Sequence, residues 1–336
     1  MKPIRVLLWS AGMVVCIVTT VQGAAALRGV ASRGFSAVAV GDAGRILYTF
    51  EAPHNDAWHG AEWPLFEDLR AVTTTGTGYV AVGQSGIVIR SVDPSGYGSQ
   101  WLAENSGTTF DLYGVAHAGN RLVAVGDSAV VLWKQDQSQG DWLLVDPAGV
   151  PTGRALRATA GNNSYAVAVG DSGTVIWTYA LNMATWNQVA DLPTDVDLRG
   201  IGAGPGAAPG RFWAVGEGGV ILRSLPNVTQ WDLLSSPTTV DLNGVAFFGL
   251  YGVAVGDDGT ILYSNGGDIW TPVDAAGTTE DLYGVAYTGS GAGGGFVAVG
   301  DENAVLWSHD GLVWQGAIVA TREASWGSIR GSWRSR

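Results

Sequence analysis

Cysteine and charged residues are scarce in this sequence of 336 residues. The one cysteine is Cys16, near the N-terminus. Because a single cysteine cannot form a disulfide within the chain, stability must come from a packed core. Charged residues make up 14% and hydrophobic residues 46%, which excludes a disordered acidic protein and a long coiled coil. The 50 glycines have no three-residue period, which excludes collagen and indicates many tight turns.

Basic residues are also few: 18 Lys and Arg stand against 30 Asp and Glu, giving a formal net charge of −12. Because phosphate binding needs surfaces rich in Lys or Arg, we expect no nucleic-acid partner. The sequence contains no His-x-x-x-His, no cysteine cluster and no Gly-Lys-Ser/Thr phosphate loop. Its 4 histidines fall in predicted loops at unrelated positions. We therefore predict no catalytic residues, no metal site and no cofactor.

The first 23 residues have the pattern of a signal peptide. Lys2 and Arg5 give a positive start, and the apolar run at 6–21 is shorter than the roughly 20 residues that span a bilayer. Small residues around Gly23 suit cleavage, and the residues before Cys16 do not form a lipoprotein box. We expect residues 1–23 to be removed and the protein to be exported to the periplasm or the extracellular space.

The rest of the chain repeats with a period of about 43 residues. Ala-Val-Gly recurs with its glycine at positions 41, 83, 126, 170, 216, 256 and 300. A leucine precedes each copy, a short apolar stretch follows it, and a tryptophan closes most units. Seven units of this length indicate a repeat architecture. The leucines are Leu27, Leu69, Leu112, Leu156, Leu198, Leu242 and Leu282.

Each unit contains four short β-type segments separated by turn residues, and none has a helical pattern. We therefore predict an all-β fold over residues 24–315, a seven-bladed β-propeller with four antiparallel strands per blade. The repeats begin near residues 26, 68, 111, 155, 197, 241 and 281. A solenoid is the alternative, but neither end shows atypical polar capping repeats. Each blade is complete within its own repeat, and we expect a monomer.

One tryptophan recurs in each unit, and this regularity indicates a core role rather than a ligand platform. Burying one indole contributes at most about 4–6 kcal/mol. The tryptophans therefore replace disulfides as the source of stability. They are Trp58 or Trp63, then Trp101, Trp142, Trp186, Trp231, Trp270 and Trp314.

Propeller topology predicts that two groups of acidic residues share one face. One group precedes the leucines, and the other follows Ala-Val-Gly in the hairpin between the second and third strands. We interpret the hairpin acids as acceptors for hydrogen bonds of their own turns. Seven equivalent turns around a disc do not converge into a metal site. The first group is Asp68, Asp111, Asp197, Asp241 and Asp281, and the second is Asp42, Asp127, Asp171, Glu217, Asp257 and Asp301.

The position after each leucine is the candidate binding site, on inner strands near the central channel. In two units an aspartate two residues earlier is expected to pair with the arginine, whereas Arg28 and Arg157 have alanine there and lack that partner. Guanidinium groups and tyrosine hydroxyls around a channel mouth suit recognition of carboxylates or peptides. A purely structural pairing is the alternative. The predicted ring is Arg28, Arg70, Tyr113, Arg157, Arg199, Asn243 and Tyr283.

Two turns before the last strand of a unit, at 264–270 and 308–314, resemble shortened Asp-box repeats of bacterial neuraminidases. Both are one residue short, and the first lacks the aspartate. Together with Ala-Val-Gly-Asp-x-Gly-x-Ile-Leu and Leu-Arg-x-Val, the repeat resembles the photosystem II stability/assembly factor family over about residues 26–315. The resemblance implies a non-enzymatic propeller, exported to a lumen or periplasm, that binds protein clients and assists assembly of membrane-protein complexes.

The same resemblance implies an arginine patch among the binding features. Arg28, Arg70, Arg157 and Arg199 match the Leu-Arg positions, whereas Tyr113, Asn243 and Tyr283 depart from them.

A glycoside hydrolase of the sialidase type, or a carbohydrate-binding propeller, is the alternative function, because sialidases share the fold and the Asp-box. That chemistry needs an arginine cluster, a nucleophilic Tyr/Glu pair and an acid. Arg28, Arg70, Tyr283 and Asp68 could take these roles, but no spacing in the sequence enforces the arrangement. Fold alone does not carry function, so the sequence favours a binding scaffold.

Residues 316–336 leave the repeat pattern and form a basic, aromatic tail. Trp326 and Trp333 alternate with basic residues among Gly and Ser, and Glu323 is the one acid. A flexible end is one interpretation. The other is a weak contact with a membrane surface or with the acidic disc. The basic residues are Arg322, Arg330, Arg334 and Arg336.

Overall fold

The computed structural model describes residues 25–50, 58–61, 63, 66–92, 98–136, 140–145, 147, 150, 153–204, 210–289 and 293–318. The signal peptide predicted over 1–23 and all of the predicted tail beyond residue 318 lie outside these ranges. Within them there is no helix long and apolar enough to cross a bilayer.

The described residues form seven antiparallel sheets of four strands, each made of consecutive strands. The first four blades comprise β1 (Leu27–Arg33), β2 (Ser36–Gly41), β3 (Ile46–Thr49) and β4 (His59–Gly60); β5 (Leu69–Thr74), β6 (Tyr79–Gly83), β7 (Val88–Ser91) and β8 (Trp101–Glu104); β9 (Leu112–Ala118), β10 (Arg121–Gly126), β11 (Val131–Gln135) and β12 (Leu143–Val145); and β13 (Leu156–Gly161), β14 (Tyr165–Gly170), β15 (Thr174–Tyr179) and β16 (Asn187–Gln188).

The last three blades comprise β17 (Leu198–Gly204), β18 (Arg211–Gly216), β19 (Ile221–Ser224) and β20 (Trp231–Leu233); β21 (Leu242–Phe248), β22 (Tyr251–Gly256), β23 (Ile261–Asn265) and β24 (Trp270–Val273); and β25 (Leu282–Thr288), β26 (Gly295–Gly300), β27 (Ala304–Ser308) and β28 (Gln315–Ile318). The inner strand of each blade contacts that of the next, and β25 contacts β1, so the ring is closed. The predicted seven-bladed β-propeller is therefore confirmed. Residues 316–318, which the sequence analysis assigned to the tail, belong to β28.

The hydrophobic core lies between neighbouring blades. In the contact that closes the ring, Leu27, Ala39 and Leu47 of the first blade pack on Val297 and Val299 of the seventh. Six equivalent clusters fill the other blade boundaries. Because the second strands are almost fully buried on both faces, their Ala-Val-Gly ends consist of small and β-branched residues.

The recurring tryptophans lie in this core, as predicted. Trp186 is 4% exposed, and its indole N–H donates to the carbonyl oxygen of Met183, 3.2 Å away. The same contact to the third residue upstream recurs at Trp101, Trp231, Trp270 and Trp314. Each of these five indoles thus also closes the turn before the fourth strand of its blade.

The glycine of Ala-Val-Gly is required by a close approach of two strands. A Cβ atom built on Gly256 would lie 2.0 Å from the carbonyl oxygen of Asp241, and one on Gly41 would lie 2.0 Å from that of Ala26. The backbone there is extended, with a φ of −168° at Gly41. This glycine therefore recurs because no side chain fits against the start of the inner strand.

Candidate functional site

A β-bulge recurs at the start of every inner strand. In the first blade Leu27 pairs with Gly41 and Gly29 pairs with Val40, so Arg28 is the extra residue. The same shift occurs after the leucine in the other six blades. Bulges turn a side chain away from the regular alternation of a strand. The position after each leucine is therefore distinct in geometry as well as in composition.

All seven predicted ring residues line one cavity of about 550 Å³ at the mouth of the central channel. Six of them have a hydrogen-bonding partner at the hairpin position after Ala-Val-Gly in their own blade. Arg28 donates two hydrogen bonds of 2.9 Å to Asp42, and Arg157 donates one of 2.7 Å to Asp171. The other pairs are Tyr113 with Asp127, Arg199 with Glu217, Asn243 with Asp257 and Tyr283 with Asp301.

These pairs extend one expectation from sequence and correct another. Arg28 and Arg157, which lack an acid two residues earlier, have carboxylate partners in the hairpin. The expected pairing of Arg70 with Asp68 is confirmed at 3.3 Å, but that of Arg199 with Asp197 is wrong. Arg199 instead contacts Glu217 at 3.1 Å and Asp241, from the next blade, at 2.7 Å. The bulge, which all seven blades share, directs the ring residue toward the hairpin, and Arg70 keeps Asp68 as its partner because Gln84 replaces the hairpin acid in its blade.

The aspartates before the leucines connect neighbouring blades. The backbone N–H of Ala43 donates to Asp68 over 2.9 Å, and that of Ser172 donates to Asp197 over 2.7 Å. The donor is a hairpin residue with positive φ, 56° at Ala43, whose N–H has no partner within its own turn. Asp111, Asp241 and Asp281 make the same contact. The turn N–H is thus held by the next blade's acid, not by the hairpin acid as the sequence analysis expected.

Aromatic ring residues stack under arginines of the next blade. The guanidinium of Arg28 lies 4.3 Å from the ring centroid of Tyr283, and that of Arg157 lies 5.1 Å from Tyr113. Burial and the carboxylate of Asp301 raise the pKa of Tyr283 to about 12. At neutral pH Tyr283 is therefore a phenol that donates to Asp301, 3.1 Å away. It is not an activated nucleophile.

Arg70 differs from the other ring arginines because Gln84 occupies its hairpin position. Its salt bridge is with Asp68, at 3.3 Å, and this carboxylate also holds the Ala43 N–H. The Nε atom of Arg70 is buried and has no hydrogen-bond partner among the described residues. The Nε atoms of Arg28 and Arg157 each donate to a hairpin aspartate, whereas that of Arg70 does not.

Eleven carboxylates contact the ring residues or the hairpin turns around this mouth. The cavity itself is lined by the four arginines and by two acids, Asp197 and Glu217. A site of this kind presents guanidinium donors to an acid and carboxylate acceptors to cationic or N–H donors. Across the described ranges no group of three or more His, Cys, Asp or Glu residues has the geometry of a metal site.

Sequence reasoning found the ring but missed the pairs. A signal was present, because the hairpin residue follows the ring residue by 14 positions in Arg28–Asp42, Arg157–Asp171 and Asn243–Asp257. The replacement of that acid by Gln84 is visible in the same alignment of repeats.

The fold and the site define a seven-bladed propeller with a polar, carboxylate-rich channel mouth. Comparison with protein-family models gives no match, and neither does comparison with curated proteins. Among solved structures, "YCF48 bound to D1 peptide" is similar, with a TM-score of 0.66 and 18% identity, covering 85% of this chain and 93% of that one. YCF48 from Cyanidioschyzon merolae has a TM-score of 0.67 and 17% identity, covering 86% of this chain and 97% of that one. These two likenesses show that the chain shares the fold of both YCF48 structures.

Proposed function

We propose that the protein is a non-enzymatic, exported binding scaffold whose channel mouth receives a segment of a client protein. The observation that carries the proposal is the gathering of the seven ring residues around one cavity of about 550 Å³. Two likenesses support it: the repeats resemble photosystem II assembly factors, and a YCF48 structure with this fold was solved with a D1 peptide. By this analogy the client is a membrane-protein complex or its precursor.

The charges of the mouth specify the chemistry of the client segment. Basic side chains and backbone N–H groups of a client suit the carboxylates of the hairpins around the cavity. One acidic group, a side chain or a chain terminus, suits Arg70, whose side chain is 29% exposed and whose hairpin carries Gln84 instead of an acid. Arg–carboxylate contacts favour planar, two-bond geometry, so Arg70 would also fix the register of the segment.

Affinity capture from the native envelope, followed by quantitative mass spectrometry, tests the proposal. Gln84→Glu restores the acid that the hairpins of the other blades carry, and it should neutralise Arg70 without removing any side chain. We expect this variant and Arg70→Gln to lower capture of the identified client about tenfold, the scale of a charged hydrogen bond. Arg33→Gln is the matched control, because Arg33 is exposed at the opposite end of β1. Capture that all three variants leave unchanged would contradict a client site at this mouth.

A further inference from the structure

A second cavity, of about 470 Å³, lies between the sixth and seventh blades on the face opposite the channel mouth. Its position follows from the strand directions, because it is bounded by the ends of β21 and β25 and the starts of β22 and β26. Five aromatic rings line it: Phe248, Tyr251, Tyr263, Tyr287 and Phe296.

The rings form fixed walls rather than a loose apolar surface. Phe248 stacks on Tyr287 across the blade boundary with 3.7 Å between centroids and 3° between planes. Tyr287 in turn meets the edge of Phe296 at 5.2 Å. On the other wall Tyr251 and Tyr263 are stacked at 6.3 Å. These contacts hold the ring faces in place before any ligand arrives, so little ordering entropy opposes binding.

Several of these apolar groups are exposed. Tyr251 is 46% exposed, Phe248 is 37% exposed, and Leu312 at the rim is 46% exposed. Exposed apolar side chains that are clustered mark interaction surfaces in soluble proteins. The clustering points to a partner rather than to chance exposure.

The one acid that lines the cavity is Asp310. Its Oδ1 accepts hydrogen bonds from the backbone N–H groups of Leu312 at 2.8 Å and Val313 at 3.0 Å and from the hydroxyl of Ser308 at 3.2 Å. Burial pushes the pKa of Asp310 upward, but these hydrogen bonds outweigh it and hold the pKa below its usual range. The carboxylate is therefore ionised at neutral pH.

Neither lysine nor arginine lines the cavity, and its one histidine, His309, has Nδ1 3.4 Å from the carbonyl oxygen of Gly294. The faces of aromatic rings carry partial negative charge, and Asp310 adds a full one. A cation between such faces is stabilised by the ring quadrupoles, and more strongly as it loses water. Charge complementarity thus selects a cationic guest over a neutral or anionic one.

We propose that this aromatic cleft binds a lysine or arginine side chain of a protein partner. The volume exceeds that of one side chain, which leaves room for the flanking backbone against Leu312 and Phe248. Because the cleft and the channel mouth lie on opposite faces, both can be occupied at once. The cleft is therefore independent of the proposed client site.

An NMR titration of the full-length protein, labelled with ¹³C on its tyrosine rings, tests the proposal. The probes are the peptides acetyl-Gly-Lys-Gly-amide and acetyl-Gly-norleucine-Gly-amide, which differ by the ammonium group. We expect the lysine peptide to shift the tyrosine resonances of the cleft and to bind about threefold to tenfold more tightly than the norleucine peptide. Equal affinity for the two peptides, or no binding, would overturn the proposal.

Variants identify the groups responsible. Asp310→Asn keeps an acceptor for the turn N–H groups and removes the charge, so it should weaken the lysine peptide about threefold and leave the norleucine peptide unchanged. Tyr251→Ala should remove most of the binding. Tyr179→Ala is the matched control, because Tyr179 is 54% exposed beside aromatic rings in a cleft of the fourth blade that no acid lines.

An Asp310→Asn variant that binds the lysine peptide as the wild type does would contradict the role of charge. Tighter binding of a neutral sugar such as maltose, used as a competitor, would replace the proposed guest with a carbohydrate. Neither result bears on capture at the channel mouth, which the Gln84→Glu variant measures separately.

Discussion

Arg28 and Asp42 form a salt bridge with two hydrogen bonds of 2.9 Å at the start of the first blade. The arginine is 27% exposed and the aspartate 28%. Arg28 also lies over the ring of Tyr283 in the seventh blade. It therefore contacts both of the blades that meet where the propeller closes. A ring residue therefore belongs to the structure and to the candidate site at the same time.

The double variant Arg28→Ala, Arg157→Ala separates these two roles. Partly exposed ion pairs contribute about 1 kcal/mol or less each, so we expect the free energy of unfolding to fall by at most about 2 kcal/mol. Client capture should fall further than this loss explains. The folded fraction stays high, but two arginines that line the cavity are removed. Urea denaturation and capture on the same preparations check both quantities. A variant that fails to fold would assign these arginines to stability.

Gly256→Ala tests the close approach that explains the Ala-Val-Gly repeat. The new Cβ would lie 2.0 Å from the carbonyl oxygen of Asp241, so the inner strand must shift. We expect a loss of about 1–3 kcal/mol in unfolding free energy, the usual cost of overpacking. Gly60→Ala is the control, because a Cβ there meets no atom within 4 Å. Equal denaturation midpoints for the two variants would contradict the explanation.

A charged network between the outer strands of the second and third blades makes stability depend on pH. Glu104 accepts from Arg90 at 2.7 Å, from Trp142 at 2.9 Å and from Lys134 at 3.1 Å, and the Lys134 side chain is 5% exposed. Burial pushes the pKa of Glu104 upward, but these donors outweigh it, and the folded-state pKa lies below the ordinary value. Removing one partner of a buried ion pair is costly because it leaves the other charge unpaired.

The direction of the pH dependence of stability follows from this lowered pKa. Glu104 contributes stability above its unfolded pKa of about 4.3, and that contribution is lost as pH falls through the lower folded value. We expect Glu104→Gln to be less stable than wild type at pH 7 and the difference to shrink below about pH 4. Urea melts from pH 7 to pH 3 measure this difference, with Asp141→Asn, exposed beside Trp142 on the third blade, as the control. A difference that stays constant with pH would refute the role of Glu104.

The sequence predicts the fold well because the information is repeated seven times. Each blade carries the same leucine, the same Ala-Val-Gly and the same tryptophan, and each of these is explained by burial or close approach. The partners of Arg28 and Arg199 were harder to predict. Regular strand alternation places an acid two residues away on the same side, but the bulge breaks that alternation at the ring residue. The aromatic cleft has no repeated signal at all, since Tyr251 and Phe296 lie at the starts of second strands, where the residue type varies from blade to blade.

The glycosidase alternative makes a different prediction at Tyr283. A nucleophilic tyrosine needs a lowered pKa, whereas burial and Asp301 raise the pKa of Tyr283 to about 12. We therefore expect no hydrolysis of 4-methylumbelliferyl sialoside above background by the wild type or by Tyr283→Phe. Turnover by the wild type that Tyr283→Phe abolishes would overturn the scaffold proposal.

The C-terminal segment provides the last test, and it concerns the membrane. Residues 319–336 follow β28 and carry four arginines and one glutamate, whereas residues 24–318 are strongly acidic. Each basic residue near an anionic surface contributes about 1 kcal/mol, so the net charge of this segment supports weak, salt-sensitive binding. We expect the mature protein to float with phosphatidylserine liposomes at low salt, and a chain ending at Ile318 to stay at the bottom of the gradient. A variant with glutamine at all four arginines is the matched control, since it keeps Trp326 and Trp333. Equal flotation of the three proteins would contradict the membrane contact that the basic, aromatic sequence of the tail suggests.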